Sequence, residues 1–235
     1  MASIDKKTGK LIYEKITSNQ VVQANYLASK QDEYWIDDGI NFYTGLMPWN
    51  FGTPPCSHTE IGFCVDGELW FFSSTSRKEL GSSTSKKNGT RWIKAEDMLR
   101  HPDRWLLQVM SYDEACTYHK IRYTDTYVGV CPVIEHKIDR ANNLVGAAYD
   151  FYGVFADFTN PCRVLCNGKY LTCYDMAEIK KIYCSKAVHV VDTGKLCVMS
   201  PKHRFKVADS LGYTTIKVST AVYMANKKYQ QQIIR

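Results

Sequence analysis

The feature that most constrains this chain is the dipeptide Asp66-Gly67, which separates two runs rich in β-branched and aromatic residues. Both central positions of the favoured two-residue hairpin turn need positive φ, and Asp and Gly adopt it readily. The pattern predicts a β-hairpin with strands over 59–65 and 68–75.

The register of this hairpin can be counted outward from the turn. The expected pairs are Val65 with Glu68, Cys64 with Leu69, and Phe63 with Trp70. Continued to the strand ends, the same count places four polar side chains on one face of the sheet: His58, Glu60, Ser73 and Thr75.

Other segments give strand signals of the same kind. We expect strands over 35–45, near 105–111, through 123–133 and in the tail segment IKVSTAVYM. The first 30 residues are polar apart from the patch 21–27, which indicates an N-terminal extension or a short helix on the body.

Two segments have the period of an amphipathic helix. Apolar residues recur from Leu144 to Phe158, where Asn160-Pro161 would end a helix, and again from Ile179 to Val190, stopping near Gly194. Strands and helices in separate stretches predict an α+β fold. The chain has no composition break, so we predict an extension over 1–34 and a single domain over 35–235.

Composition bears on location and partners. Thirty basic and 24 acidic residues give a formal charge of +6, which is too small and too dispersed to favour a nucleic-acid partner. The densest basic stretch, from Arg77 to Lys94, lies among Ser, Thr and Gly and is typical of a solvated loop. No apolar stretch approaches the roughly 18 residues of a membrane span, and the start MASIDKKTGK lacks a secretory pattern, so we expect a cytoplasmic protein.

Nine cysteines in a chain of this size favour reduced, mostly buried thiols rather than a disulfide framework. Cys64, Cys131 and Cys197 are expected in the core. The spacing Cys162-x3-Cys166, with Cys173 beyond, lacks a second close pair for a zinc site, so we expect no metal.

Cys184 is the best placed cysteine to act as a nucleophile. A thiolate is favoured at a helix N-terminus and beside an imidazole, and Lys186 would add positive charge. The sequence leaves two helix starts open, because a helix that began at Asp175 would place Cys184 in its middle, where the dipole helps little.

The base must come from elsewhere in the chain. His189 lies about 140° around the helix from Cys184 and cannot face it. His58 begins the hairpin strand on the face that carries Ser73 and Thr75, whose hydroxyls could orient the far nitrogen of the ring. The residues therefore allow a relay of cysteine, histidine and hydroxyl.

The ordered series DDGINFYTG, SHTEIGF, GAAYDFYGV, IYCSKAV and MSPKHRF, over roughly 37–218, resembles the circularly permuted branch of the NlpC-type papain-fold hydrolases. The resemblance implies an antiparallel sheet or barrel packed against the cysteine helix. It also implies His58 as base, Cys184 as nucleophile and Tyr149 near the reacting carbonyl. Two positions depart from that family: Lys186 where Glu is common, and Ser73 where a carboxylate often stands.

The function implied by the resemblance is that of a cysteine peptidase or amidase. It would cleave a peptide-type bond, as in bacterial cell-wall peptidoglycan, without a cofactor, and its setting could be bacterial or a phage virion. Relatives with this arrangement also include enzymes of acyl esters and thioesters, so the substrate could be a peptide or an acyl group. The alternative from another class is a non-catalytic module of the same fold, for example in a virus particle, which Lys186 and the lack of a carboxylate near His58 favour.

Overall fold

The computed structural model describes residues 16–27, 51–76, 89–99, 104–113, 115, 131–156, 164–166, 169–171, 178–198 and 200–217. These residues form a mixed α and β architecture, in which ten strands share one sheet. The α+β prediction is therefore confirmed at the level of fold class.

The strands are β1 Gln20–Leu27, β2 Cys56–Val65, β3 Glu68–Thr75, β4 Gly89–Lys94, β5 Trp105–Ser111, β6 Ala148–Tyr149, β7 Val164–Cys166, β8 Lys169–Leu171, β9 Ile179–Ile182 and β10 Thr214–Lys217. Their order across the sheet is β10-β5-β1-β2-β3-β4-β6-β9-β7-β8. Only the contact of β6 with β9 is parallel, and the other pairs between these strands are antiparallel.

The helices of the described residues are α1 Ala95–Met98, α2 Pro132–Leu144, α3 Phe151–Ala156, α4 Cys184–Thr193 and α5 Pro201–Ser210. None of them has the length and apolar character needed to cross a membrane. Helix α4 packs against β2, β3 and α2, and α5 packs against β1 and β2. The helices thus cover the central strands of the sheet.

The predicted hairpin is confirmed. Asp66 and Gly67 have φ of 52° and 79°, as the two-residue turn requires. Strands β2 and β3 pair from Val65 opposite Glu68 to Ile61 opposite Phe72, in the register counted from the sequence.

Two apolar clusters lie on opposite faces of the central strands. Val21 belongs to a cluster with Phe72 and the α4 residue Val188. The next residue, Val22, belongs to a second cluster with Phe71 and Leu107. Successive side chains of a strand point to opposite faces, so a single strand can contribute to both clusters when both faces are covered.

The prediction for the N-terminal patch is wrong. Gln20–Leu27 is neither an extension nor a helix, because it forms β1, which pairs with β2 on one side and with β5 on the other. Its residues 21–25 are buried on both faces and therefore lack the alternation of a half-exposed strand. The expected boundary between residues 34 and 35 lies outside the described residues.

Both predicted helices are wrong in part. The first is replaced by α2, which ends at Leu144, then by β6 and the short α3. The second begins as strand β9, and its helix starts only at Cys184. Its expected end is confirmed, because Gly194 is the C-cap with φ of 72°.

The strand predicted over 105–111 is confirmed as β5. The predicted strand 35–45, most of the predicted strand 123–133, the tail beyond residue 217, and Cys162 and Cys173 lie outside the described residues. Where the prediction over 123–133 meets the described chain it is wrong, because Pro132 starts α2.

Candidate active site

Cys184 is the first residue of α4. Strand β9 ends at Ile182, and Tyr183 stays extended, with φ of −96° and ψ of 168°, before the chain turns into the helix. The Tyr183 hydroxyl donates a hydrogen bond to the carbonyl of Val198 at 2.8 Å, which anchors this junction. Of the two helix starts that the sequence allowed, the structure has the one that places Cys184 at the positive end of the helix dipole.

The structure brings Cys184 and His58 together. Both side chains are buried, with exposed fractions of 3% and 4%, and they are hydrogen-bonded to each other. The backbone N–H groups of Thr59 and Ser185 also donate to the Cys184 sulfur. One donor comes from β2 and the other from the helix start, so the sulfur lies where α4 meets the sheet.

These contacts decide the charge of the thiol. Burial acts to raise the pKa of Cys184, but the charge and hydrogen bond of His58, together with the two N–H groups, lower it below its ordinary value. The thiolate is therefore favoured by a specific partner rather than by exposure to water. A lowered pKa of this origin is what distinguishes a nucleophilic cysteine from an inert core cysteine.

His58 contacts a carboxylate on its own strand. Its Nε2 lies 3.0 Å from Oε1 of Glu60, and an ionised carboxylate can only accept, so the imidazole donates. Burial acts to lower the pKa of His58, but the Cys184 thiolate and Glu60 raise it to about 9. The ring also lies edge-on to Trp105, with centroids 6.4 Å apart.

Arg91, on β4, forms an ion pair with Glu60. Its two terminal nitrogens lie 2.6 Å from Oε1 and 3.2 Å from Oε2 of Glu60, a bidentate pair, and one of them also donates to the carbonyl of Ser73 at 3.4 Å. Burial acts to raise the pKa of Glu60, but Arg91 and then His58 lower it. Glu60 is thus ionised although its side chain is fully buried.

The expected absence of a carboxylate near His58 is wrong, because Glu60 supplies one. The expected contact between Ser73 and the imidazole is not formed either. The Ser73 hydroxyl donates to the carbonyl of Thr59 at 2.6 Å, and Glu60 holds the orienting position instead. Arg91 was expected in a solvated loop, yet it is buried on β4.

Tyr149 lies on β6, beside the strand that leads to Cys184. It is in register with Ile182, and the N–H of Asp150 reaches the Ile182 carbonyl at 3.4 Å. The Tyr149 ring packs edge-on against Phe151 at 4.8 Å between centroids. The two parallel strands therefore end at the same edge of the sheet, where α3 and α4 begin.

The sequence raised two further groups, Lys186 and His189. Lys186 is buried, with its ammonium 5.2 Å from the centre of the Tyr183 ring, and the positive charge that lowers the pKa of Cys184 is that of His58. His189 packs against Arg204, with His189 Nδ1 and Arg204 Nη1 3.5 Å apart. The exclusion of His189 as the base agrees with this placement.

The other described cysteines differ from Cys184. Burial raises the pKa of Cys56 to about 12 despite the nearby charge of Lys202, and burial also raises the pKa of Cys64.

Cys131 and Cys197 are disulfide-bonded, so the expectation of reduced thiols is wrong for them. Cys197 is also exposed rather than in the core. Disulfide formation depends on which sulfurs the fold brings together, and residue spacing alone does not show this.

No protein-family model, no curated protein and no solved structure matches this chain. The site itself defines a chemical class. It contains a thiol of lowered pKa at a helix start, an imidazole hydrogen-bonded to it, and a carboxylate hydrogen-bonded to the other side of the imidazole. In the part of the chain that the structure describes, no group of three or more His, Cys, Asp or Glu side chains is arranged to hold a metal ion.

Proposed function

We propose that the protein is a cysteine hydrolase of the permuted NlpC-type, papain-like class, which cleaves an amide bond of peptide type through a thiol acyl-enzyme. The observation that supports this is the buried hydrogen-bonded series Cys184, His58 and Glu60. The parts come from the start of a helix and from a hairpin strand far from it in sequence. Such a series has the roles of nucleophile, base and orienting group known from thiol hydrolases.

In the proposed reaction, the Cys184 thiolate attacks the carbonyl carbon of the substrate, and the π electrons of the carbonyl move to its oxygen. As the tetrahedral intermediate collapses, the C–N bond breaks and the His58 imidazolium gives its proton to the leaving amine. The imidazole then takes a proton from water, whose oxygen attacks the thioester, and the thiolate leaves as the carboxylic acid forms. Glu60 keeps the ring oriented through both steps.

The negatively charged oxygen of the tetrahedral intermediate needs hydrogen-bond donors at the edge of the sheet where α3 and α4 begin. Backbone N–H groups at the start of α4 point toward this edge, since the first turn of a helix leaves them without helical partners. Tyr149, in register with Ile182 next to Cys184, supplies a hydroxyl from the neighbouring strand. We assign these groups to the oxyanion and give Ser73 a supporting role for the Thr59 backbone.

An acyl ester or thioester is the second candidate substrate. Phe151 and Tyr152, which follow Tyr149 at the same edge, are 46% and 70% exposed. Exposed aromatic side chains at the edge where the cysteine helix begins favour an apolar acyl group.

A non-catalytic module of the same fold is the candidate from another class. The burial of the Cys184 side chain favours it, because a substrate carbonyl must reach the sulfur. In that case the ion pairs of the site would serve only to join α4 to the sheet.

The deciding experiment incubates the full chain with a panel of cell-wall-type peptide amides and long-chain acyl thioesters and looks for the acyl-enzyme by intact mass. Hydrolysis or trapped acylation that disappears in Cys184→Ala and His58→Ala, with folding retained by circular dichroism, supports the enzyme. Hydrolysis of the thioesters alone selects the acyl substrate. A folded protein that gives no acylation with any member of the panel supports the non-catalytic module.

A further inference from the structure

The charges of the buried cluster balance in a way that depends on Arg91. With the thiol ionised, Cys184 and Glu60 carry one negative charge each, and His58 and Arg91 carry one positive charge each. All four side chains are at least nine-tenths buried. A buried cluster of zero net charge is far less costly than one with an unpaired charge.

Without Arg91, the same preference for zero net charge would favour a different protonation state of the cluster. His58 would then be the single cation for two possible anions, Glu60 and Cys184. The neutral arrangement would be imidazolium with carboxylate, and the sulfur would keep its proton. The carboxylate that orients the ring is therefore also a competitor of the thiolate for the charge of the ring.

We propose that Arg91 is a positioning residue of the thiol centre: by pairing with both oxygens of Glu60, it neutralises that carboxylate and leaves the imidazolium charge of His58 to Cys184. The bidentate geometry also fixes the carboxylate plane, so Oε1 stays directed at His58 Nε2. This inference rests on the proposed function for its catalytic meaning, but its physical content concerns only the ionisation of one thiol.

The charged groups that act on this cluster can be named element by element. Cys184 is contributed by α4, His58 and Glu60 by β2, and Arg91 by β4, and each acts on its neighbour in that series. From α5, which also packs on β2, Lys202 acts on Cys56. Among the described residues, His58 is the charge that lowers the pKa of Cys184 most, and Glu60 and Arg91 act in turn on His58 and Glu60.

The test measures the rate of Cys184 alkylation by iodoacetamide against pH in the full chain, with peptide mapping of the modified cysteine. The variants are Arg91→Lys, Arg91→Met and the double variant Glu60→Gln with Arg91→Met. We expect Arg91→Met to move the midpoint of the profile upward by about one pH unit or more, so that the rate at pH 6 falls about tenfold. Arg91→Lys keeps the charge and should move the midpoint less.

The double variant separates charge compensation from simple structural support. It removes both the competing carboxylate and its partner, so the profile should return toward that of the unchanged protein. An unchanged midpoint in folded Arg91→Met overturns the inference, and so does a double variant whose midpoint stays high. If Arg91→Met fails to fold, the double variant and Arg91→Lys still decide the question. Hydrolysis is not measured, so a failure of the proposed function would leave these profiles unaffected.

Discussion

Glu60 Oε1 lies 3.0 Å from His58 Nε2, and the two residues are separated by a single position on β2. Side chains two apart on a strand project from the same face, so the strand itself presents the carboxylate to the imidazole. Arg91 on β4 reaches the same carboxylate across β3. Strand pairing within the sheet therefore places His58, Glu60 and Arg91 together, and the start of α4 adds the Cys184 sulfur.

The lowered pKa of Cys184 predicts selective alkylation at low pH. At pH 6 a limiting amount of iodoacetamide should label Cys184 well ahead of Cys56 and Cys64, whose pKa values are raised by burial. Because its pKa is lowered, Cys184 remains a thiolate as the pH falls until that pKa is reached. The other two thiols have raised pKa values and are already protonated at higher pH. Mass spectrometry of tryptic peptides measures the order of labelling.

The control for this selectivity is His58→Asn, which removes the imidazolium but keeps a polar side chain of moderate size. Labelling of Cys184 at pH 6 should fall at least about tenfold, the equivalent of one pKa unit. Equal labelling of Cys184 before and after this change would show that the thiolate does not depend on His58.

Ser73→Ala is predicted to slow the alkylation of Cys184 at pH 6 far less than His58→Asn does. The Ser73 hydroxyl donates to the Thr59 carbonyl and not to His58, so the variant loses a buried hydrogen bond and about 1 kcal/mol of folding free energy. Urea unfolding measures the loss. The matched control is Ser210→Ala, whose hydroxyl also donates to a backbone carbonyl but at an exposed position, and which should cost less. A large fall in alkylation for Ser73→Ala would restore the orienting role expected from the sequence.

The hairpin was predictable because it depends on a local rule, since Asp66-Gly67 fixes the turn and the register. The pairing of Cys184 with His58 was expected from the order of the motifs, because the sequence left the start of the cysteine helix open. The role of Glu60 was within reach, since the same register count placed it on the face of His58. It was missed because the search for an orienting group was directed at the second hairpin strand.

Arg91 and β1 could not be assigned for a different reason. The stretch that precedes Arg91 is polar, and only the pairing of β4 with β3 shows that this one residue is buried against a carboxylate. The segment 20–27 is short and follows a polar start, so its place inside the sheet depends on partners that are distant in sequence. Long-range pairing decides both cases, and hydrophobic periodicity does not report it.

His189 predicts a loss of stability in mild acid. Burial and the charge of Arg204 lower its pKa to about 3. Since the unfolded chain binds a proton near pH 6.5 and the folded chain resists it, the free energy of unfolding should fall as pH drops from 6.5 toward 3, by roughly 5 kcal/mol in all, of which roughly 3 kcal/mol is lost between pH 7 and pH 4. His189→Gln should remove this part of the pH dependence, measured by urea unfolding at pH 7 and pH 4.

The comparison variant for His189 is His136→Gln, because His136 is exposed on α2. It should unfold with the pH dependence of the unchanged protein. A fall in stability between pH 7 and pH 4 that is the same in His189→Gln as in the unchanged protein would contradict the assignment.

Gly89→Ala is predicted to weaken the junction between β4 and β6. Gly89 pairs with Ala148, which links the strand of Arg91 to the strand of Tyr149. Its φ is 146°, and an added Cβ would lie 2.3 Å from the backbone oxygen of Ala147, which cannot rotate away. We expect a loss of at least about 2 kcal/mol from strain and displacement of the strands.

The matched control for this junction is Gly146→Ala, two residues before Ala148 of the same pairing. Its φ of 93° is also positive, but an added Cβ would meet nothing within 4 Å. The difference between the two variants in thermal unfolding therefore isolates the contact with Ala147 from the backbone strain. If β4 and β6 together hold the thiol centre, Gly89→Ala should also slow Cys184 alkylation at pH 6 and Gly146→Ala should not. Equal alkylation and equal stability in the two variants would show that the junction contributes to neither property.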